Sequence, residues 1–100
     1  MSQTTGFSII RADRAGVFLG KIIESNGSTL IVSNVRRLYY WSGALDVITI
    51  SLSGVSKPAN CKFSAQLGDN DKSTILNVIE HHPVSESALQ QLNAIPAWKS

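Results

Sequence analysis

The chain has 100 residues, of which 43% are hydrophobic and 16% are charged, and its formal net charge is +2. This length fits one domain with one core, and the composition is that of a folded protein rather than a disordered one. The weak net charge excludes the strongly basic surface of a general nucleic-acid binder, so we expect no extended nucleic acid as a partner. The low charged fraction predicts that a second copy of the chain covers some apolar surface.

The sequence carries no sign of export or of membrane insertion. Its single cysteine, Cys61, excludes an intramolecular disulfide, and the first residues have neither the basic region nor the apolar run of a secretion signal. No apolar stretch approaches the roughly 20 residues that cross a bilayer. We therefore expect a cytosolic protein with no membrane partner, in which residues 1–6 form a flexible N-terminus and residues 7–100 form one domain.

The first half of the chain predicts a three-stranded antiparallel meander. Residues 13–16 place Asp first and Gly fourth, as a type I turn favours, between two β-rich runs. Residues 17–24 and the following run from 29 onward are rich in β-branched side chains and flank Asn26 and Gly27. These two residue types tolerate the positive φ of a hairpin turn. We expect the third strand to continue from residue 29 as far as residue 40.

Residues 43–54 fit two kinds of secondary structure. Val, Ile and Thr side chains favour a strand, whereas the spacing of the larger apolar residues is nearly helical. Ser42 has the type of residue that caps a helix start, and Gly54 has the type that ends one. We interpret this segment as a short helix.

The last third predicts two strands and a helix. A short strand is expected within residues 60–66 and a longer one over residues 73–82. Ser85 begins a final helix that Pro96 ends, and Trp98 is expected to dock on the body of the domain. The predicted fold is therefore α+β, with an antiparallel sheet of about five strands and two short helices.

The most distinctive segment is NVRRLYYWSGA, at residues 34–44. It sets two arginines beside three aromatic residues: Arg36, Arg37, Tyr39, Tyr40 and Trp41. Side chains alternate along a strand, so the two arginines should face opposite sides, with Trp41 on the side of Arg37. A guanidinium binds phosphate through two parallel hydrogen bonds, and an aromatic ring stacks on a base. The segment is typical of nucleotide recognition, although aromatics that cover a core beneath arginine stems would give the same pattern.

Arg11 and Arg14 are secondary candidates for the same site. Neighbouring strands of a meander pair, so the first turn can approach the end of the third strand. The intervening Asp13 also fits a surface ion pair or a contact that fixes the turn.

The remaining polar residues form no recognisable catalytic or metal-binding set. His81 and His82 are neighbours on an expected strand and point to opposite faces, and Cys61 does not complete a zinc spacing. Residues 69–71 lack the later glycine and glutamate of a calcium loop, and the chain has no GxSxG, Walker or GxGxxG motif. We expect no catalytic residue, no cofactor and no metal.

Four segments carry a resemblance to a known family: RADRAGVFLGKI, NVRRLYYWSGA, GVSKPANCKFS, and VIEHHPVSESA followed by IPAWK. Together they resemble a family of small, largely uncharacterised proteins of tailed phages and prophages, over most of residues 8–99. The resemblance brings no active site with it. It implies a phage gene product that works in the cytoplasm of an infected bacterial host cell.

That setting suggests a function by analogy, because small phage proteins often act on host defence. Some sequester the cyclic or adenine-derived nucleotides that bacterial immune enzymes produce as signals. Such a trap needs arginines, stacking rings and often a pocket shared between subunits, so we expect a homo-oligomer that binds a cyclic oligonucleotide or an ADP-ribose derivative without catalysis. A phage structural or accessory protein that acts through protein contacts is the alternative, and a nucleotide-degrading enzyme is a third.

Overall fold

The computed structural model describes residues 6–14, 16–41, 46–68 and 70–97. Within them, the strands and α-helices are β1 (Phe7–Ala12), β2 (Gly16–Asn26), β3 (Thr29–Tyr40), α1 (Val47–Ser53), β4 (Lys62–Phe63), β5 (Ser73–Ile75), β6 (Val78–Pro83) and α2 (Glu86–Asn93). The strands form one antiparallel sheet in the order β4-β3-β2-β1-β6, with β5 also paired to β3. The predicted α+β fold is confirmed.

The meander of β1, β2 and β3 is present, but both of its turns differ from the sequence-based expectation. Asn26 pairs with Thr29, so the second hairpin turns at Gly27 and Ser28, one residue later than predicted. Gly27 supplies the positive φ, at 63°. In the first turn Arg14 has a φ of 68°, whereas the second residue of a type I turn has a negative φ.

Residues 47–53 form a helix, as predicted. Its N-cap is Asp46, whose side chain accepts hydrogen bonds from the backbone N–H of Thr49 at 2.9 Å and from the Thr49 hydroxyl at 3.0 Å. Gly54 ends the helix with a φ of 74°, as its residue type predicted. Ser42, the predicted cap, and Trp98, the predicted docking residue, lie outside the described residues, as do the first five residues of the expected flexible N-terminus.

The single strand predicted over residues 73–82 is wrong, because Leu76 and Asn77 divide it into β5 and β6. Asn77 has a φ of 57°, which takes the chain out of the extended conformation. β5 pairs with β3, whereas β6 pairs with β1 at the other margin of the sheet. Only two residues therefore connect the two opposite margins of the sheet, so the sheet has to curl until these margins lie close together.

Backbone hydrogen bonds hold this curl in place. Val78 donates to the carbonyl of Ser28 at 2.8 Å, and Asp13 donates to the carbonyl of Asn77 at 2.9 Å. The chain between β5 and β6 thus contacts both the β2–β3 turn and the β1–β2 turn. The curl brings the β1–β2 turn close to β5.

The described residues form two apolar clusters, one on each face of the sheet, where one core was expected. The inner core lies on the concave side and consists of Ile10, Ala12, Phe18, Leu30, Val32, Val35 and Ile75. The helix-side core lies beneath the two helices and consists of Ile9, Leu19, Leu38, Val47, Ile50, Val55, Cys61, Phe63, Val84, Ala88, Leu92 and Ile95. Alternation along β1 and β2 sends neighbouring residues to different clusters.

α2 packs on the helix-side core and begins at Ser85, as the sequence predicted. Ser85 is its N-cap and accepts a hydrogen bond from the backbone N–H of Ala88 at 3.1 Å. Ala88 and Leu92 are the buried residues of this helix. The side chain of Gln91 bonds to both backbone groups of Val55, which fixes α2 against the end of α1.

A β-bulge at Asn34 reverses the two faces of β3. Lys21 pairs with Ser33 but Leu19 pairs with Arg36, so β3 holds one extra residue between these pairs. Asn34 absorbs it with a φ of 53°. Val32 before the bulge and Val35 after it both lie in the inner core, although residues three positions apart on a regular strand would face opposite sides.

Candidate functional site

The two neighbouring arginines of β3 lie on opposite faces of the sheet, as alternation predicted. The guanidinium carbon of Arg36 is 5.0 Å from the ring centroid of Phe63, in the helix-side core. The guanidinium carbon of Arg37 is 5.0 Å from the ring centroid of Phe18, in the inner core. Each guanidinium stacks on an aromatic ring, but the two cannot grip one ligand together.

Arg36 is bound to the protein itself. Its Nε donates to the backbone carbonyl of Ser64 at 2.9 Å, and its Nη1 donates to that of Leu92 at 3.2 Å. The residue is only 4% exposed, and this burial lowers the pKa of Arg36, which nevertheless stays protonated as arginines do in proteins. These contacts favour a structural role, in which Arg36 ties the last turn of α2 to the chain after β4.

Arg37 lines a cavity of about 550 Å³, called here the arginine cavity. This volume lies within the range of about 300–1,000 Å³ that is usual for small-molecule sites. Its walls are the β1–β2 turn, the start of β2, the second half of β3 and the β5–β6 segment. The lining residues are Asp13, Arg14, Phe18, Val35, Arg37, Ser73, Thr74, Ile75, Leu76 and Asn77. Two of the predicted ligand-binding residues, Arg14 and Arg37, therefore meet in one cavity.

The guanidinium groups of Arg14 and Arg37 have no polar partner in the part of the chain that the structure describes. Both residues are exposed, and neither guanidinium forms an ion pair or a hydrogen bond with a described residue. Asp13 contributes one carboxylate to the lining. With two guanidinium groups against one carboxylate, these lining residues carry a net positive charge that favours an anion.

The backbone of Arg14 is held in an unfavourable conformation. Its φ of 68° lies in the left-handed region, which costs an ordinary side chain energy and suits Gly or Asn better. Such strain clusters at ligand-binding and catalytic positions, where the surrounding structure imposes it. Here the turn presents a strained arginine at the rim of a positively charged cavity.

Phe18 is the aromatic residue of this site that sequence reasoning missed. It is buried beneath Arg37 and pairs with it across β2 and β3. A hairpin turning at Asn26 and Gly27, as predicted, would place Gly16 opposite Arg37 instead. The one-residue shift of the turn therefore concealed this contact.

A second cavity adjoins the first on the other side of Arg37. This side cavity has a volume of about 330 Å³ and is lined by Phe18, Val35, Arg36, Arg37, Ser64, Ala65 and Leu67. It shares Phe18, Val35 and Arg37 with the arginine cavity. Arg37 and the residues beneath it thus separate two neighbouring concavities.

Arg11 and Trp41 lie in a third cavity, on the helix side of the sheet. Its volume is about 370 Å³, and its lining includes Asp46 and Glu80. Arg11 Nη1 and Glu80 Oε2 form an ion pair at 2.8 Å, and His82 Nε2 lies 2.8 Å from Glu80 Oε1. The hydrogen bond from His82, with a smaller contribution from Arg11, holds the pKa of Glu80 below its ordinary value. Two carboxylates beside one guanidinium do not favour an anion, so this cavity fits the proposed chemistry less well.

The three predicted aromatic residues do not enter the arginine cavity. Tyr39 and Tyr40 are 55% and 53% exposed near the end of β3, and neither lines it. Trp41 packs against the helix-side core together with Leu38, so its predicted position on the face of Arg37 is wrong. A β-bulge between Leu38 and Tyr40 adds one residue to β3, and this extra residue reverses the alternation before Trp41.

Two further observations concern the described residues. They contain no group of three or more His, Cys, Asp or Glu side chains that could hold a metal ion. No helix among them has the length and apolar character needed to cross a membrane.

Comparison with known proteins yields a family without an assigned activity. Residues 7–92 match the model of the family described as Domain of unknown function (DUF6948). No curated protein matches the chain, and no solved structure matches it.

Proposed function

We propose that this chain, which belongs to the DUF6948 family, binds an anionic nucleotide in the arginine cavity without transforming it. The observation that carries the proposal is that Arg14 and Arg37 line one cavity of about 550 Å³, and that neither guanidinium forms an ion pair or a hydrogen bond with a described residue. Two guanidinium groups suit a phosphate, because each can donate two parallel hydrogen bonds to it.

The remaining lining supplies the contacts that a nucleoside needs. Phe18 supports the guanidinium of Arg37 from below, so that the phosphate-binding group is oriented before the ligand arrives. Ser73, Thr74 and Asn77 provide hydroxyl and amide groups for ribose and base.

The resemblance to phage proteins supplies the proposed biological setting. In the cytoplasm of an infected bacterium, the protein would withdraw a cyclic oligonucleotide or an ADP-ribose derivative that signals infection. Such a protein acts by stoichiometric binding, so it needs abundance and affinity rather than turnover.

We further expect the chain to form a homo-oligomer. Ile48 and Leu52 are 47% and 63% exposed on the outer side of α1, one helical turn apart. Apolar side chains that are neighbours on a helix surface suit burial against a second copy. Light scattering at micromolar concentration should give at least twice the 10.8 kDa mass of one chain, and a monomer at every concentration would contradict this expectation.

A structural or accessory role is the second candidate, and the exposure of Tyr39 and Tyr40 favours it. Exposed tyrosines next to one another are typical of the residues that dominate protein–protein contacts. Because both tyrosines lie outside the arginine cavity, a protein contact through them is compatible with a bound ligand. Replacement of both by serine would weaken the contact without changing nucleotide affinity.

Calorimetry with a panel of nucleotides tests the proposal. The panel contains AMP, ADP-ribose, cyclic dinucleotides and cyclic trinucleotides, and the proteins are wild type, Arg37→Gln, Arg14→Asn and Lys57→Gln. Loss of a charge-assisted hydrogen bond costs about 1.5–3 kcal/mol, so each arginine variant should bind roughly tenfold to more than a hundredfold more weakly.

Lys57→Gln is the matched control, because it removes one exposed positive charge that lines neither the arginine cavity nor the side cavity. It should bind like wild type. Wild type that binds no member of the panel, or arginine variants that bind as tightly as the control, would contradict the proposal. Recovery of the ligand unaltered after heating the complex separates binding from degradation.

A further inference from the structure

Arg37 borders two neighbouring cavities. The arginine cavity of about 550 Å³ and the side cavity of about 330 Å³ share Phe18, Val35 and Arg37 as common lining. Both volumes reach the range of about 300–1,000 Å³ that is usual for small-molecule sites. A group bound to the Arg37 guanidinium therefore has space on both sides.

The chemistry of phosphate esters fits this arrangement. A phosphomonoester on Arg37 extends in one direction and leaves one cavity filled only with water. A phosphodiester has two ester oxygens, which lead away from the phosphorus in different directions. We infer, on the basis of the proposed function, that the ligand is a phosphodiester carrying two nucleosides, with its phosphate on Arg37 and one nucleoside in each cavity.

The lining of the side cavity favours a nucleoside over a second phosphate. Its Arg36 guanidinium already donates to the carbonyls of Ser64 and Leu92. The Ser64 hydroxyl is also engaged, since it accepts from the Arg37 backbone N–H at 2.7 Å and donates to the Ala65 carbonyl at 2.9 Å.

The remaining surface of the side cavity is apolar and comes from Val35, Ala65 and Leu67, together with Phe18. Apolar surface of this kind packs against the face of a base and gives no compensation for burying a second negative charge. The second arm of the ligand is therefore a nucleoside.

Titration calorimetry with AMP and with the linear dinucleotide ApA tests this inference. AMP carries nearly two negative charges at neutral pH and ApA carries one, so charge alone favours AMP. Wild type should nevertheless bind ApA about fivefold to a hundredfold more tightly, which is the effect of one further stacked base.

Two alanine-to-leucine variants locate the second nucleoside. Ala65→Leu adds an aliphatic side chain in the side cavity and should remove the advantage of ApA while leaving AMP affinity unchanged. Ala94→Leu is the matched control, because Ala94 is also exposed but lines neither cavity, and it should keep that advantage. Thermal unfolding of both variants verifies that they are folded.

The outcomes separate this inference from the proposed function. AMP that binds with Arg37-dependent affinity, together with ApA that binds no more tightly, overturns the two-nucleoside ligand and leaves nucleotide binding intact. Equal loss of AMP and ApA affinity in Ala65→Leu overturns it as well. Wild type that binds neither AMP nor ApA overturns the two-nucleoside ligand, and the nucleotide panel then decides whether nucleotide binding fails as well.

A ten-residue oligoadenylate distinguishes the two sources of such a diester. Affinity no greater than that of ApA indicates a free dinucleotide as the ligand. Greater affinity indicates a dinucleotide segment within a single strand of RNA.

Discussion

At the residue scale, Arg36 and Arg37 show how far the environments of neighbouring side chains can differ. Arg36 is buried and its donors hold two backbone carbonyls, whereas Arg37 is exposed and no described residue pairs with its guanidinium. Both guanidinium groups stack on a phenylalanine ring, with the same distance between the guanidinium carbon and the ring centroid. The difference lies in which face of β3 each side chain occupies, and it separates a structural role from a binding role.

Replacement of Arg36 should destabilise the protein. Arg36→Ala removes the Arg36 donor to the Ser64 carbonyl and one of the donors to the Leu92 carbonyl, and it opens a gap above Phe63. We expect this loss to cost about 2–4 kcal/mol. Arg37→Ala, the matched control, loses only its stacking on Phe18 and should cost about 1 kcal/mol or less. Urea denaturation of the two variants measures both values, and equal destabilisation would contradict the division of roles.

Replacement of Arg14 should weaken ligand binding without loss of stability. Asn adopts the left-handed conformation more readily than Arg, so Arg14→Asn relieves strain at the φ of 68°. The free energy of unfolding should stay constant or rise by up to about 1 kcal/mol, as is common when a strained functional residue is replaced. A stability loss above that size in a urea titration would show that the Arg14 side chain supports the fold.

At the scale of single elements, the bulge in β3 decides which arginine reaches the arginine cavity. The extra residue at Asn34 shifts the alternation, so that Val35 and Arg37 take the inner face and Arg36 and Leu38 take the helix side. The bulge is held by a bond from Ser33 Oγ to Asn34 Oδ1 at 3.0 Å and by one from Gln66 Nε2 to the Asn34 carbonyl at 3.0 Å. A regular β3 would bury Arg37 and expose Arg36.

Substitution of Asn34 tests the bulge directly. The branched side chain of valine disfavours positive φ, so Asn34→Val should lower the free energy of unfolding by about 1–3 kcal/mol. Asn34→Gly accepts the φ of 53° without strain and should cost about 1 kcal/mol or less. Chemical denaturation compares the two, and a valine variant as stable as the glycine variant would show that the backbone at residue 34 is not constrained.

At the scale of the whole molecule, two carboxylates on the helix side of the sheet form stabilising contacts as anions. Glu80 on β6 accepts from His82 and pairs with Arg11 on β1. Asp46 caps α1 through the Thr49 backbone N–H, and this bond is the main reason that the pKa of Asp46 lies below its ordinary value of 3.8. Both groups are therefore bound more strongly by the folded protein as anions than as neutral acids.

These pKa shifts predict a loss of stability in acid. A carboxyl group whose folded-state pKa is depressed stabilises the protein above its unfolded pKa and loses that contribution as the pH falls through the folded value. For Glu80 the loss begins near the ordinary value of 4.5 and continues below it. The free energy of unfolding, measured in urea from pH 7 to pH 3, should fall most steeply below about pH 4.5. The double variant Asp46→Asn, Glu80→Gln should show a shallower fall, and an unchanged slope would contradict the assignment.

The sequence by itself determined the local features of this protein. The β-rich runs, the capping residues Ser85 and Gly54 and the opposite orientation of Arg36 and Arg37 follow from side-chain sterics, hydrogen bonding and the two-residue period of a strand. These effects act within a few residues of one another. The α+β fold was predictable for the same reason, since it is the sum of such elements.

Only the tertiary structure decided how these elements combine into a site. The second turn lies one residue later than its sequence indicates, which places Phe18 rather than Gly16 beneath Arg37. The break at Leu76 and Asn77 curls the sheet and brings Arg14 to the same cavity, while Arg11 and Trp41 are left on the other face. Each turn, bulge or break shifts the register of a strand by a whole residue and so changes which side chains share a face. Contacts between residues that are distant in sequence decide where these features lie.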